Sequence, residues 1–356
     1  MIGPAHRSVR IPRLLRIVQG VPAAVASLAE LAEQPRRYLA IHSGPASVTG
    51  YGTRVVNEAR RAGLDMLELV AAANNEKSVE ALVAGIASVR PDVVVGVGGG
   101  RLLDVAKMAA AKSAVDFLSV PTQASSDGIC SPVAVIYTAD GRPRSLGARI
   151  PAGVVVDMEE LGSAPVETWR SGLGDLVSNL SAVRDWRMAH ETRGEPIDDF
   201  ACLTAEAAAG SVIQADADVT HRDFQERLIR GLILSGIAME MSGSSRPASG
   251  SEHLISHALD RILDRPRHHG LQVALGTVAA FVLRDEPCHD LVRFFRATGL
   301  PVMPQDLGLS TDDFMMAVHQ GRSTRPGRWT VLDAVGERDL RRLRSLYEEG
   351  GSDAWA

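Results

Sequence analysis

The sequence predicts an α/β N-terminal half built on a parallel sheet, followed by an all-α C-terminal half. Two observations carry this. From about Arg37 to Asp157, short runs rich in β-branched and aliphatic residues alternate with longer segments of helical period, the pattern of a parallel sheet with helices on its faces. Beyond about Gly162 the strand patterns stop, and long Ala/Leu/Met-rich helical segments run to the end. The change of composition divides the chain into residues 1–160 and 161–356. No repeat or low-complexity linker separates them, so two closely packed halves with a ligand cleft between them are expected.

The elements follow in order. "RYLAIHSG" reads as a strand ending in a glycine turn, "SVTGYGTRVVNEARRAG" as helix, "LDMLELVAA" as strand and "EKSVEALVAGIASVRP" as helix. "DVVVGVGGG" is the next strand with its loop, "RLLDVAKMAAAKSA" the helix after it, and "DFLSVPT" another strand. A Ser/Gly/Pro-rich loop then leads to "VAVIYTADGRPRS", a hairpin with Asp-Gly at its turn. "AGVVVDMEEL" closes the half as a strand.

Composition excludes several function classes. With 38 Lys+Arg against 43 Asp+Glu the formal charge is -5, and no basic stripe interleaved with aromatics tracks a nucleic-acid backbone. The arginines in "AHRSVRIPRLLR" and "GERDLRRLRSLYEEG" read as solvated surface. Three dispersed cysteines, Cys130, Cys202 and Cys288, support neither a disulfide framework nor a thiolate zinc site and fit a reducing cytoplasm. No stretch approaches the length of an apolar membrane span, and no apolar signal region follows the N-terminal charges.

Four elements carry chemistry. The strand-to-helix turn at Gly98, Gly99 and Gly100 leaves backbone N–H groups to face an anion, with the helix dipole adding attraction; a phosphate or pyrophosphate suits it. Alone it is also a common structural turn, and Asp104 a common first-turn residue. In "SVPTQASSDGICSP", Thr122, Ser125, Ser126, Asp127 and Ser131 share one loop after a sheet strand, where open α/β sheets place ligands; the same residues suit a turn held by side-chain bonds. "SGLGDLVSNLSAVRDW" is expected to start a helix at Asp175, as a cap, a dipole partner or a ligand. In "SGSEHLISHALD", His253 and His257 stand four apart and share a helix face, and His269 follows in "RHHGLQVALGT". Two imidazoles and the Asp175 carboxylate make a three-ligand set with an open position, as in catalytic zinc and non-haem Fe(II) sites.

Jointly, "GVGGGRLLDVAK", "PTQASSDGICSP", "SGLGDLVSNLSAVRDW", "SGSEHLISHALD" and "HHGLQVALGT" resemble, in order and over nearly the whole chain, the glycerol-1-phosphate dehydrogenase family of the dehydroquinate synthase-like and iron-containing alcohol dehydrogenase group. The resemblance implies a dehydroquinate synthase-like fold, a cytoplasmic homo-oligomer, and NAD or NADP as cofactor. It implies that Gly98, Gly99 and Gly100 cradle the pyrophosphate, with Asp104 nearby and Thr122, Ser125 and Ser131 adding contacts. Asp175, His253 and His269 become the ligands of one divalent metal, normally zinc, with iron or nickel as alternatives. Asp127 and His257 become substrate contacts, His257 delivering the proton to a ketone reduced by hydride. The implied substrate is dihydroxyacetone phosphate, reduced to sn-glycerol 1-phosphate, or a close relative.

The chain departs from the family pattern at three places. Ser126 stands where the loop commonly carries His, Leu271 follows His269-Gly270 where an acid is common, and "SLGARIPAGVVVD" lacks a usual lysine, which leaves Arg149 as a candidate phosphate partner. The same scaffold also supports another polyol or alcohol dehydrogenase. A sugar-phosphate cyclase would want a denser set of lysines than Lys77, Lys107 and Lys112. A cofactor-binding protein without turnover would have no need of the three-ligand set.

Overall fold

The computed structural model describes residues 8–30, 36–44, 50–215 and 218–349. They fall into two compact units. The first comprises the described parts of Met1–Thr122, Gly128–Gly162 and Met239–Ser244; the second those of Gln123–Asp127, Ser163–Ala238 and Ser245–Ala356.

The first unit runs β1 (Leu14–Val18), α1 (Val21–Ala29), β2 (Arg37–His42), α2 (Tyr51–Arg61), β3 (Asp65–Val70), α3 (Glu76–Val89), β4 (Val93–Gly98), α4 (Gly100–Lys112) and β5 (Asp116–Pro121). It continues with β6 (Val133–Tyr137), β7 (Pro143–Gly147), β8 (Gly153–Asp157) and α5 (Met158–Gly162). Six strands form one parallel sheet in the order β1-β8-β5-β4-β2-β3, and β6 and β7 form the expected antiparallel hairpin. The inner strands are buried on both faces, so "VVVGVG" and "GVVVD" read as continuous apolar runs rather than alternating ones. Tyr38, Ala40, Val93, Val95 and Val97 pack on one face with Val25, Leu28, Val55 and Val56 of α1 and α2.

The sequence reading began at Arg37 and missed β1 and α1. The edge strand "LLRIV" is short, carries Arg16, and is half exposed, so its hydrophobic signal is weak. Its arginines are solvated as expected: Arg13 pairs with Asp116, and Arg16 with Glu30.

Strand order locates a ligand position. From β2 the chain steps outward to β3, then returns to the other side of β2 as β4 and continues to β5. The carboxyl end of β4 therefore lies at the point where the winding reverses, and that is where open α/β sheets form a crevice. Gly98, Gly99 and Gly100 occupy it.

The second unit is helical: α6 (Val166–Val177), α7 (Asn179–Arg193), α8 (Asp199–Ile213), α9 (Arg222–Ser242, whose last residues belong to the first unit), α10 (Ser251–Ile262), α11 (His269–Leu283), α12 (His289–Thr298), α13 (Thr311–Thr324), α14 (Val331–Ala334) and α15 (Glu337–Glu349). No strand occurs in it among the described residues. In α15, Leu343 and Tyr347 turn inward while Arg341 and Arg344 form surface pairs, as the charge pattern predicts.

One buried carboxylate ties the first unit together at the end of β8. Asp157, 1% exposed, accepts from the Gly20 N–H at 2.7 Å and the Glu159 N–H at 3.0 Å through Oδ1, and from the Tyr51 hydroxyl at 2.8 Å through Oδ2. That contact raises the Tyr51 pKa, burial being the larger cause and the Asp157 charge the next. Asp157→Ala strands these donors and is expected to lower unfolding stability by about 2–4 kcal/mol in urea titrations, each unsatisfied group costing about 1–3 kcal/mol. An unchanged midpoint would refute this role.

Candidate metal and substrate site

The second unit brings Asp175, His253 and His269 together. One potential ligand atom from each lies within 4.8 Å of the others. His253 Nε2 is 3.5 Å and His269 Nε2 3.7 Å from Asp175 Oδ1. His257 completes the imidazole group, its ring centroid 6.5 Å from that of His253 and 6.2 Å from that of His269.

Local structure explains the convergence. His253 and His257 lie one turn apart on α10, and His269 opens α11. Asp175 does not start a helix, as its sequence context suggests, but sits in the last turn of α6. There the helix dipole opposes a negative charge. The carboxylate is nonetheless held below its usual range: burial pushes its pKa up, but the His253 hydrogen bond, the charges of His269 and His253, and the Asp127 N–H outweigh it. That N–H donates to Asp175 Oδ2 at 2.8 Å.

The close approach of α6 and α11 requires glycine on both sides. A Cβ on Gly174 would stand 2.2 Å from the Gly270 carbonyl oxygen, and one on Gly270 would stand 1.8 Å from the Ser171 carbonyl oxygen. With any side chain at either position, the last turn of α6 and the first of α11 are forced apart, and Asp175 leaves His269.

Each imidazole is oriented from behind. His253 Nδ1 lies 3.0 Å from Glu252 Oε1 and Nε2 3.5 Å from Asp175 Oδ1; the tautomer that donates from Nδ1 to Glu252 is the one that offers Nε2 to a metal in place of a proton. Glu252 is fully buried; its Oε1 also accepts from the Gly250 N–H, and among the described residues no partner meets Oε2. Burial disfavours charge on His253, but Asp175 and Glu252 overcome it and raise its pKa to about 9. His269 is oriented by Ser256, whose hydroxyl oxygen lies 3.2 Å from Nδ1 and also accepts from Gln272 Nε2 at 3.0 Å. The tautomer that donates from Nδ1 to Ser256 leaves His269 Nε2 for a ligand. His257 differs: burial, then the charges of His269, His253, Arg261 and Arg325, push its pKa down to about 3, so it is a neutral imidazole.

Two imidazole nitrogens and one carboxylate oxygen, all within 4.8 Å of one another and supported by Glu252 and Ser256 behind the rings, fit a divalent cation. Asp127 joins the site through its backbone. Its own carboxylate accepts from Ser235 at 2.9 Å, and Ser235 in turn bonds the buried Asn179. Ser125 is anchored by its carbonyl, which accepts from Ser171 Oγ at 2.9 Å.

The cofactor candidates divide. Gly98, Gly99 and Gly100 lead from β4 into α4, whose first N–H groups have no acceptor within the helix. Thr122 lies beside them, its N–H donating to the Gly98 carbonyl at 3.0 Å. Asp104 is different from the expectation: its Oδ2 accepts from the Val135 N–H at 3.1 Å and its Oδ1 lies 3.4 Å from Lys107 Nζ, so it fastens the hairpin to α4. Ser131 is buried and donates to the Val133 carbonyl at 3.3 Å. Both side chains are engaged inside the unit. Arg149 lies apart from the glycine turn. It lines a cavity with Arg10, Arg13 and Asp116 beside the first residues of β5 and β8, the opposite end of the sheet from the glycine turn.

Sequence reasoning missed Glu252, Lys107, Ser256 and Gln272. Glu252 directly precedes a candidate ligand, and Lys107 is a lone lysine in an apolar helix segment, 1% exposed, holding the Gly128 and Ser131 carbonyls. Ser256 and Gln272 carry no such signal, because they meet only through the packing of α10 on α11.

Comparison with known proteins places these features. The chain is 35% identical over 344 residues to the glycerol-1-phosphate dehydrogenase [NAD(P)+] of Hyperthermus butylicus, covering 93% of this chain and 95% of that protein. The chain belongs to the glycerol-1-phosphate dehydrogenase family. A second member, from Cenarchaeum symbiosum, is 34% identical over 334 residues, covering 94% of this chain and 93% of that one. Residues 19–165 match a family model described as iron-containing alcohol dehydrogenase. Glycerol dehydrogenase from Schizosaccharomyces pombe shares the fold with a TM-score of 0.74 at 20% identity, over 97% of this chain and 92% of that one. A 1,3-propanediol oxidoreductase does so with a TM-score of 0.71 at 15% identity, over 97% and 100%. As a member of this family the chain is an oxidoreductase on a dehydroquinate synthase-like scaffold, and among its described residues no helix is long and apolar enough to cross a membrane.

Glu252 supplies a test of the support behind the ligands. Glu252→Gln keeps the shape but weakens the pull on His253 Nδ1, and the metal dissociation constant is expected to rise about 10–100-fold, the usual effect of losing such a partner. Competition with a chromophoric chelator reads it, and an unchanged constant would refute the orienting role.

Proposed function

We propose that this chain reduces dihydroxyacetone phosphate to sn-glycerol 1-phosphate with NADH or NADPH, using one divalent metal held by Asp175, His253 and His269. The observation that carries the reading is the convergence of these three side chains in a chain of this family. Zinc is the first choice, since two imidazoles and a carboxylate with an open position suit it; iron and nickel accept the same donors. When bound, the metal supplies Lewis-acid polarisation of the substrate oxygen, and the dinucleotide supplies the hydride.

The chain's own residues do the rest. Gly98, Gly99 and Gly100, with the first N–H groups of α4 and Thr122, receive the dinucleotide phosphates, and Ser125 adds a hydroxyl. Asp127 fixes Asp175 through its N–H and faces the substrate from the same loop. His257, a neutral imidazole, gives its N–H proton to the oxygen of the reduced substrate while its other nitrogen takes up a replacement from solvent. Hydride to carbon and proton to oxygen together account for the conversion of ketone to alcohol. The reading includes a cytoplasmic homo-oligomer, in line with three dispersed cysteines and the family resemblance.

Metal-loaded protein should oxidise NADH or NADPH, followed by nicotinamide absorbance, when offered dihydroxyacetone phosphate. Chelation should abolish the rate, and added zinc, iron or nickel should restore it. His253→Ala is expected to lose stoichiometric metal and to lower kcat/KM by about 1,000-fold or more, with the helical circular dichroism retained. Normal turnover in that variant, or none in the metal-loaded wild type, would overturn the reading.

A further inference from the structure

Three guanidinium groups meet beside α10, and one carboxylate pairs with them. Arg246, 3% exposed, takes that carboxylate: it donates from Nε to Glu195 Oε1 at 2.7 Å and from Nη2 to Glu195 Oε2, and its Nη1 donates to the Trp329 carbonyl at 2.8 Å. Arg325 and Arg328 have no ion pair among the described residues. Instead both turn to one hydroxyl. Arg325 Nη1 donates to Ser245 Oγ at 3.0 Å, and Arg328 Nη2 to the same oxygen at 3.1 Å. Arg328, 8% exposed, also donates to the Ser249 carbonyl.

This arrangement is electrostatically incomplete. Burial, then the like charges of Arg325 and Arg246, pull the Arg328 pKa down to about 9, against the attraction of Glu195 and Glu252. Burial and Arg246 lower Arg325 as well. Buried charges in proteins are matched by a counter-charge or a ligand. Arg328 is such a charge: Ser245 and Ser249 fix the direction of its guanidinium, the exposed Arg325 is held beside it by the same Ser245 hydroxyl, and the N–H groups that remain are available to an anion.

Its position follows from the packing of α13 on α10. Thr324 Oγ1 donates to the Leu254 carbonyl at 3.4 Å, Arg261 Nη2 donates to the Thr324 carbonyl at 3.3 Å, and a Cβ on Gly321 would lie 3.4 Å from the Ile255 nitrogen. The end of α13, where Arg325 follows Thr324, is thereby set against the turn of α10 that carries His253 and His257. Arg325 is close enough to His257 for its charge to help keep that imidazole neutral.

We propose that Arg325 and Arg328 form the subsite that grips the phosphate group of the substrate, holding a phosphate ester so that its carbonyl end faces Asp175, His253 and His269. This rests on the proposed reduction of a phosphorylated ketone. Planar guanidinium forks match phosphate oxygens two at a time, which lysine does not do, and the subsite distinguishes the ester from its unphosphorylated counterpart.

Arg325 is exposed enough to replace without disturbing the fold, so the test uses Arg325→Gln and Arg325→Lys, each checked for metal content and circular dichroism. In Arg325→Gln the KM for dihydroxyacetone phosphate should rise about 10–100-fold, the value of a charged hydrogen bond, with kcat/KM for dihydroxyacetone falling far less; Arg325→Lys should recover part of the loss. Equal losses on both substrates, or no loss, would overturn the subsite. So would a rise in KM for NADPH without one for NADH, which would assign the cluster to a cofactor phosphate. If wild type fails to reduce dihydroxyacetone phosphate, the functional reading falls, and calorimetry of inorganic phosphate on metal-loaded protein decides the subsite separately. Binding by wild type that is lost in Arg325→Gln upholds an anion site there; equal binding, or none, refutes it.

Discussion

The second unit depends on one contact, the backbone-to-backbone approach of α6 and α11 at Gly174 and Gly270. Helices packed through ordinary side chains keep their axes 8–10 Å apart, roughly, and end residues then diverge. Here the carbonyl of one helix occupies the space of a missing Cβ on the other. The last turn of α6 therefore delivers Asp175 to the first turn of α11, where His269 stands. The cost falls on Asp175, a buried carboxylate at the negative end of its helix dipole. Asp127 answers with a backbone N–H and the histidines with their rings, and a bound cation would complete the balance.

Behind the ligands the same logic extends through layers of buried polar groups. Glu252 orients His253, and Asp185 anchors the start of α10 by accepting from the Ser251 N–H at 2.6 Å, the Val331 N–H at 3.0 Å and Arg284 Nη1 at 3.1 Å. Burial, and the proximity of Glu252, raise the pKa of Asp185 against the pull of Arg284. Glu252 and Asp185 thus lie at the start of α10, and Arg246, Arg325 and Arg328 meet near the same end, where Arg328 donates to the Ser249 carbonyl.

In the first unit, backbone and side chains have different tasks. The glycine turn offers N–H groups at the reversal of the sheet's winding. The polar side chains nearby face inward instead: Asp104 and Lys107 bind the hairpin and the loop carbonyls to α4.

The sequence by itself determined the succession of strands and helices from Arg37 onward, the hairpin, the change to helices after Gly162, and the identity of the histidines that share a face of α10. These are local: strand burial on both faces leaves an unbroken apolar run, and a separation of four residues is one helical turn wherever the helix lies. Joint occurrence of several motifs in one order identified the family, because no single motif does so. Tertiary structure decided what depends on partners distant in the chain. It moved Asp175 from the start of a helix to the end of one, turned Asp104 and Ser131 inward, carried Arg149 to the far end of the sheet, and brought Arg325 and Arg328 to Ser245. An arginine's sequence context is the same whether it meets a carboxylate or a serine hydroxyl, and that difference exists only after α13 has packed on α10.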